Sequence, residues 1–107
     1  MKADQTIQLA ETFGLLADPT RLSIVLACRG REISTGDIAD ELGISASLVS
    51  HHLRLLRAAR VLRANRQGKQ VFYTLADACV RDVLQIMIEH LFVHEHGGSE
   101  KSQEGEE

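Results

Sequence analysis

Apolar residues at Ile7, Leu9, Ala10, Phe13, Leu15 and Leu16 keep a helical spacing that breaks at Asp18-Pro19, which predicts a first helix over about residues 4–16. Asp18 can cap the following helix and Pro19 can open it, because a first helical position needs no N–H donor. Leu22, Ile24, Val25 and Leu26 form a nearly continuous apolar stripe that ends at Arg29-Gly30. The capped start makes this a buried second helix rather than a strand. Ser34 followed three residues later by Asp37 resembles a capping box with Asp in place of Glu, opening a short helix through Ile38 to Leu42 that Gly43 ends.

Ser45 and Ser47 are both candidate caps for the next helix, which carries Val49, Leu53 and Leu56 on one side. Ser50, His51, Arg54 and Arg57 turn outward, while His52 is expected to be partly packed. Two short helices joined by a tight glycine turn make a helix-turn-helix, and the second has the polar, basic face that a major groove accepts. Val61 to Asn65 and Gln70 to Leu75 are β-prone segments around Arg66-Gln67-Gly68-Lys69, a hairpin loop with two cations. A basic hairpin beside a recognition helix is a wing. Asp77 then caps a long last helix with Val80, Val83, Leu84, Met87, Ile88 and Leu91 along one side, before a Gly-Gly-Ser break. The expected fold is mainly α with a small β-hairpin: a winged helix-turn-helix over residues 1–96, followed by an acidic, disordered tail over residues 97–107.

Composition agrees with this picture. The chain has 107 residues, 44% of them hydrophobic, with three Phe, one Tyr and no Trp, which suits one small helical domain built on aliphatic side chains. A core this small is often completed by a second copy. Asp82 and Glu89 interrupt the greasiest stretch, Val80 to Val93, so no run of about 18 apolar residues exists to span a membrane. The polar, charged N-terminus lacks the apolar centre of a secretory signal, and Cys28 and Cys79 form no CxxC pair, so a cytoplasmic location is expected.

A formal net charge of -3 looks wrong for a nucleic-acid partner, but the charge is unevenly distributed. From Leu42 to Ala76 there is no Asp or Glu, whereas Arg54, Arg57, Arg60, Arg63, Arg66 and Lys69 all fall there. Solvated faces usually mix signs, so a one-signed segment of this kind points to phosphate contact and hence to double-stranded DNA.

Three strings carry a family resemblance: Leu16-Ala17-Asp18-Pro19-Thr20-Arg21-Leu22, Ser47-Leu48-Val49-Ser50-His51-His52-Leu53-Arg54-Leu55-Leu56, and Arg66-Gln67-Gly68-Lys69-Gln70-Val71-Phe72-Tyr73-Thr74-Leu75. With the order of elements, over about residues 5–95, they resemble the ArsR/SmtB family of metal-sensing bacterial repressors. The resemblance implies a homodimer joined through its first and last helices, repressing an operon until an effector releases the DNA. It also implies candidate effector positions. A Cys-x-Cys site at the third helix is absent, since Ser34-Thr35-Gly36 stand there. The last-helix site maps onto Asp77, Cys79, His90 and Val93, of which the first three carry ligand atoms; His94 is the replacement for the fourth, with Glu95 and His96 in reserve.

Cys79 and His90 lie eleven residues apart, about 16 Å along one helix, so a single helix cannot chelate with both. Two copies packed antiparallel would set Asp77 and Cys79 of one against His90 and His94 of the other. That set of O, S, N and N donors suits Zn²⁺, with Cd²⁺, Co²⁺ and Ni²⁺ as alternatives. Ser47, Ser50, His51 and Arg54 are the expected major-groove contacts, Arg57 a further DNA-binding residue, and Arg66 and Lys69 of the wing are expected along the flanking backbone or minor groove. A rival within the same fold is a thiol switch using Cys28 and Cys79. An enzyme is not expected: His90 and His94 have metalloprotease spacing, but Leu91 stands where a general-base Glu is needed.

Overall fold

A computed structural model describes residues 1–93 of the chain. His94, Glu95, His96 and the acidic tail lie outside the described residues. The chain divides into a unit over Met1–Ala76 and a second that begins at Asp77.

The first unit runs α1 (Ala3–Leu16), α2 (Pro19–Ala27), β1 (Ile33–Ser34), α3 (Thr35–Leu42), α4 (Ala46–Ala58), β2 (Leu62–Gln67) and β3 (Gln70–Leu75). Short polar side chains set where each helix begins. Asp18 accepts from the Arg21 N–H at 2.9 Å, Ser34 from that of Asp37 at 3.2 Å, and Ser45 from that of Leu48 at 3.0 Å. Ser45 is therefore the cap of α4, and Ser47 is left free to face outward from its first turn. Each such cap contributes about 1 kcal/mol by satisfying an amide that no helical carbonyl reaches. Gly43, at φ 68, ends α3 in the left-handed conformation that turns the chain into α4.

The core lies where these helices meet. Ile24 and Val25 of α2, Ile38 of α3, and Val49, Leu53 and Leu56 of α4 are buried, with Cys28 among them. The i, i+4, i+7 spacing of the three α4 residues anchors that helix and leaves its opposite face in solvent. Truncating Leu53 or Leu56 to Ala should cost about 2–5 kcal/mol, a large share of a small domain's stability.

The sheet departs from expectation in two ways. It has three antiparallel strands in the order β1-β3-β2, because Ile33 and Ser34 pair with Tyr73 and Phe72. Two residues are too short for alternation to show in a sequence. The wing strand β2 also runs on through Arg66 to Gln67, pairing Arg66 with Val71 and Gln67 with Gln70, so the loop shrinks to Gly68-Lys69. Gly68, at φ 65, supplies the positive φ that a two-residue hairpin requires at its first central position.

The second unit is α5 (Ala78–Ile88), capped by Asp77 and continued by a π-helical turn over Glu89–Val93. A turn closed by i→i+5 hydrogen bonds takes one more residue than an α-turn, a difference that apolar periodicity does not register. Among the described residues no helix is long and apolar enough to cross a membrane.

Candidate functional site

The recognition surface begins with α4. Its buried stripe forces Ser47, His51, Arg54 and Arg57 to the exposed side, with Ser50 half-buried at the edge. His52 points the other way and is buried, and its Nδ1 has no hydrogen-bond partner among the described residues. Burial, and then the Arg21 guanidinium, hold His52 below its ordinary value, so the ring sits neutral inside the fold.

α4 ends in a Schellman turn. The Val61 N–H donates to the Leu56 carbonyl at 3.0 Å and the Arg60 N–H to the Arg57 carbonyl at 3.0 Å. Arg60 occupies the left-handed position at φ 62, where glycine is the usual residue, and leads the chain directly into the wing.

In the wing, Arg66 and Lys69 are exposed as expected. Sequence patterning missed what holds them: the Glu32 carboxylate accepts from Gln67 Nε2 at 2.7 Å and from Asn65 Nδ2 at 3.2 Å. It also missed Tyr73. Strand alternation places Tyr73 on the same face as buried Leu75, and it joins Ser50, Arg54, Arg57 and Ala58 in lining an open cleft of about 430 Å³. Only pairing β3 in its observed register reveals either residue.

On the second unit, Asp77, Cys79 and His90 are all exposed. Asp77 Oδ1 accepts from the Val80 N–H at 3.0 Å, which leaves the second carboxylate oxygen available. Asp77 is extended rather than helical (φ -162, ψ 179), so its direction is not tied to the helical period. These carboxylate, thiol and imidazole donors fit a borderline divalent cation such as zinc. Among the described residues no group of three His, Cys, Asp or Glu side chains could hold a metal ion.

Cys28 gives the thiol-switch expectation no support. It is fully buried, and burial pushes its thiol up to about 12 against the opposing pull of Arg31, which leaves almost no thiolate to react.

The comparisons agree with this architecture. Residues 18–64 match the bacterial regulatory protein, arsR family. A transcriptional repressor SmtB homolog from Synechocystis sp. is 41% identical over 91 residues, covering 85% of this chain and 69% of the relative. The chain belongs to the ArsR/SmtB family. Also similar is a cadmium resistance transcriptional regulatory protein CadC homolog from Staphylococcus aureus, 34% identical over 91 residues, covering 83% of this chain and 71% of that one. The solution structure of a homodimeric winged helix-turn-helix DNA-binding domain from Mycobacterium bovis superimposes with TM-score 0.76 and 28% identity, covering 89% of this chain and 92% of that one. Members of the ArsR/SmtB family are DNA-binding transcriptional regulators and not enzymes. The fold is the winged helix-turn-helix read from the hydrophobic pattern.

Proposed function

We propose that the protein is a homodimeric repressor that binds a palindromic operator as the metal-free form and releases it when a divalent metal ion, zinc first, is bound between the last helices of two copies. The observation that carries this reading is on α5: Cys79 and the free oxygen of Asp77 stand exposed at its start and His90 at its end, too far apart to serve one ion from one chain. Asp77 and Cys79 of one copy and His90 of the other would hold the ion. When bound it supplies a cross-link between the two last helices, favouring one arrangement of the dimer over another.

The fourth ligand is His94 rather than Val93. Val93 has no ligand atom, and His94 is the next residue along the chain that has one. Dimer formation is supported by apolar side chains left open on both terminal helices: Ile7 is 60% exposed and Phe13 55%, and on α5 Ile86 is 64% and Met87 53%. The Mycobacterium bovis relative is a homodimer, and the Staphylococcus aureus relative is named for cadmium resistance. Residues 1–96 then act as one DNA-binding and dimerisation domain in the cytoplasm. α4 of each copy lies at the major groove with Ser47, Ser50, His51, Arg54 and Arg57 on its DNA side, and Arg66 and Lys69 meet the flanking backbone or minor groove.

The test is fluorescence anisotropy on promoter DNA with chelator and then with stoichiometric Zn²⁺, for the unmodified protein and for His90→Ala. Zinc should weaken binding tenfold or more in the unmodified protein alone; a coupling of about 1–3 kcal/mol suffices for this. Tight binding that no divalent metal alters would remove the last-helix site from the reading.

A further inference from the structure

The cleft between α4 and β3 combines features that a DNA-groove contact alone does not require. Ser50, Arg54, Arg57 and Ala58 lie at i, i+4, i+7 and i+8 and so share one face of α4, and Tyr73 closes the opposite wall from β3. Among the described residues, the side chains of Ser50, Arg54, Arg57 and Tyr73 make no hydrogen bond or ion pair. The two guanidiniums stand three residues apart on the helix with no acid between Leu42 and Ala76 to neutralise them. Such a pair repels in isolation, so the arrangement is costly until an anion enters. The charged groups here are donors only, the hydroxyls of Ser50 and Tyr73 can donate as well, and Ala58 is small enough to leave the floor open.

We propose that this cleft is a phosphate seat, in which Arg54, Arg57 and the Tyr73 hydroxyl together clamp one phosphodiester of the DNA backbone. A guanidinium fork matches a phosphate's oxygens in pairs; a guanine edge offers two acceptors to the same fork, but only a phosphate contact is indifferent to sequence. The seat is built from two elements of the same compact unit, so it fixes the angle of α4 in the groove without reading sequence. Arg54 and Arg57 therefore position the helix, and recognition of bases falls to Ser47 and His51 in its first turns. The inference rests on the operator-binding reading above and adds a contact, Tyr73, and a division of labour within α4.

The experiment measures affinity of the metal-free protein for promoter DNA and for a scrambled duplex of equal length across a potassium chloride series, for the unmodified chain, Tyr73→Phe and Arg57→Ala. Tyr73→Phe should weaken both duplexes by the same factor, about 3- to 10-fold, with an unchanged salt slope, because it removes one neutral donor. Arg57→Ala should weaken both equally and lower the slope of log K against log salt by about one per chain bound. Circular dichroism melts of each variant show whether the fold is kept; if Arg57→Ala melts early, the isosteric Tyr73→Phe decides alone. Tyr73→Phe binding both duplexes as tightly as the unmodified protein overturns the seat. So does a loss confined to the promoter duplex, which would make Tyr73 a sequence reader. A free oxyanion is the other source of the same chemistry. Inorganic phosphate that raises the melting temperature of DNA-free protein in a Tyr73-dependent way, with duplex affinity unmoved by Tyr73→Phe, assigns the cleft to that ion and overturns the backbone contact. Failure of the unmodified protein to bind either duplex overturns the operator reading itself, and the seat with it.

Discussion

Gln67 Nε2 donates to Glu32 Oε1 at 2.7 Å, tying the outer end of wing strand β2 to a residue 35 positions earlier in the chain. The same carboxylate also holds Asn65, so one acidic side chain braces the strand that carries Arg66. Glu32→Ala should leave global stability within about 0.5 kcal/mol, as for most exposed substitutions. It should instead raise amide exchange severalfold at Arg66 to Gln70. Hydrogen exchange followed by mass spectrometry would show this; unchanged protection of the wing would mean that the hairpin's own ladder holds it.

Arg60 sits at φ 62, where a side chain with a Cβ is strained. Arg60→Gly relieves that strain and should stabilise the domain by about 0.5–1 kcal/mol in urea denaturation. The same change removes a cation from the acid-free segment and should weaken DNA binding. A variant that gains stability and keeps full affinity would show Arg60 to be away from the duplex.

His52 makes stability depend on pH in a direction that can be worked out. Its folded pKa lies below the ordinary 6.5 because burial and then Arg21 oppose the charged ring, with Asp18 favouring it and His51 adding to the opposition. As pH falls, the unfolded chain takes up the proton first. The stabilisation is therefore complete above 6.5 and is lost progressively as pH drops towards the lowered folded value. His52→Leu removes both the titration and the orphaned Nδ1, and should flatten the fall in urea midpoint between about pH 7.5 and about pH 5.5. Equal slopes for the two proteins would assign the acid sensitivity to other groups.

The two cysteines should differ sharply. Cys79 is exposed and Cys28 buried with its thiol near 12, so a thiol reagent should label Cys79 in the native protein and reach Cys28 only after denaturation. Rapid native labelling of both would restore the thiol-switch reading.

Zinc should protect Cys79 from that reagent, and His90→Ala should abolish the protection while leaving metal-free DNA binding intact. Protection that survives His90→Ala would place the metal on other ligands.

Much of this protein was legible in its sequence, because local chemistry decides local structure. Asp18, Ser34, Gly43 and Asp77 act on amides and dihedrals within a few residues of themselves, so those helix ends could be read directly, whereas the choice between Ser45 and Ser47 waited on the Leu48 N–H. The 3.6-residue period of Val49, Leu53 and Leu56 likewise showed which side of α4 must be exposed, and with it the basic face. Other features arise from residues distant in the chain. Pairing of Ile33 with Tyr73, Glu32 beneath the wing, the orphaned Nδ1 of His52 and the cleft at Tyr73 depend on strand register and on how α4 meets the sheet. Helix positions and their outward faces therefore follow from residues close in the chain, the π-helical turn over Glu89–Val93 excepted. Only the tertiary structure decided that Cys28 is sealed away while Cys79 is open, since thiol reactivity depends on surroundings that chain folding, not chain order, brings together.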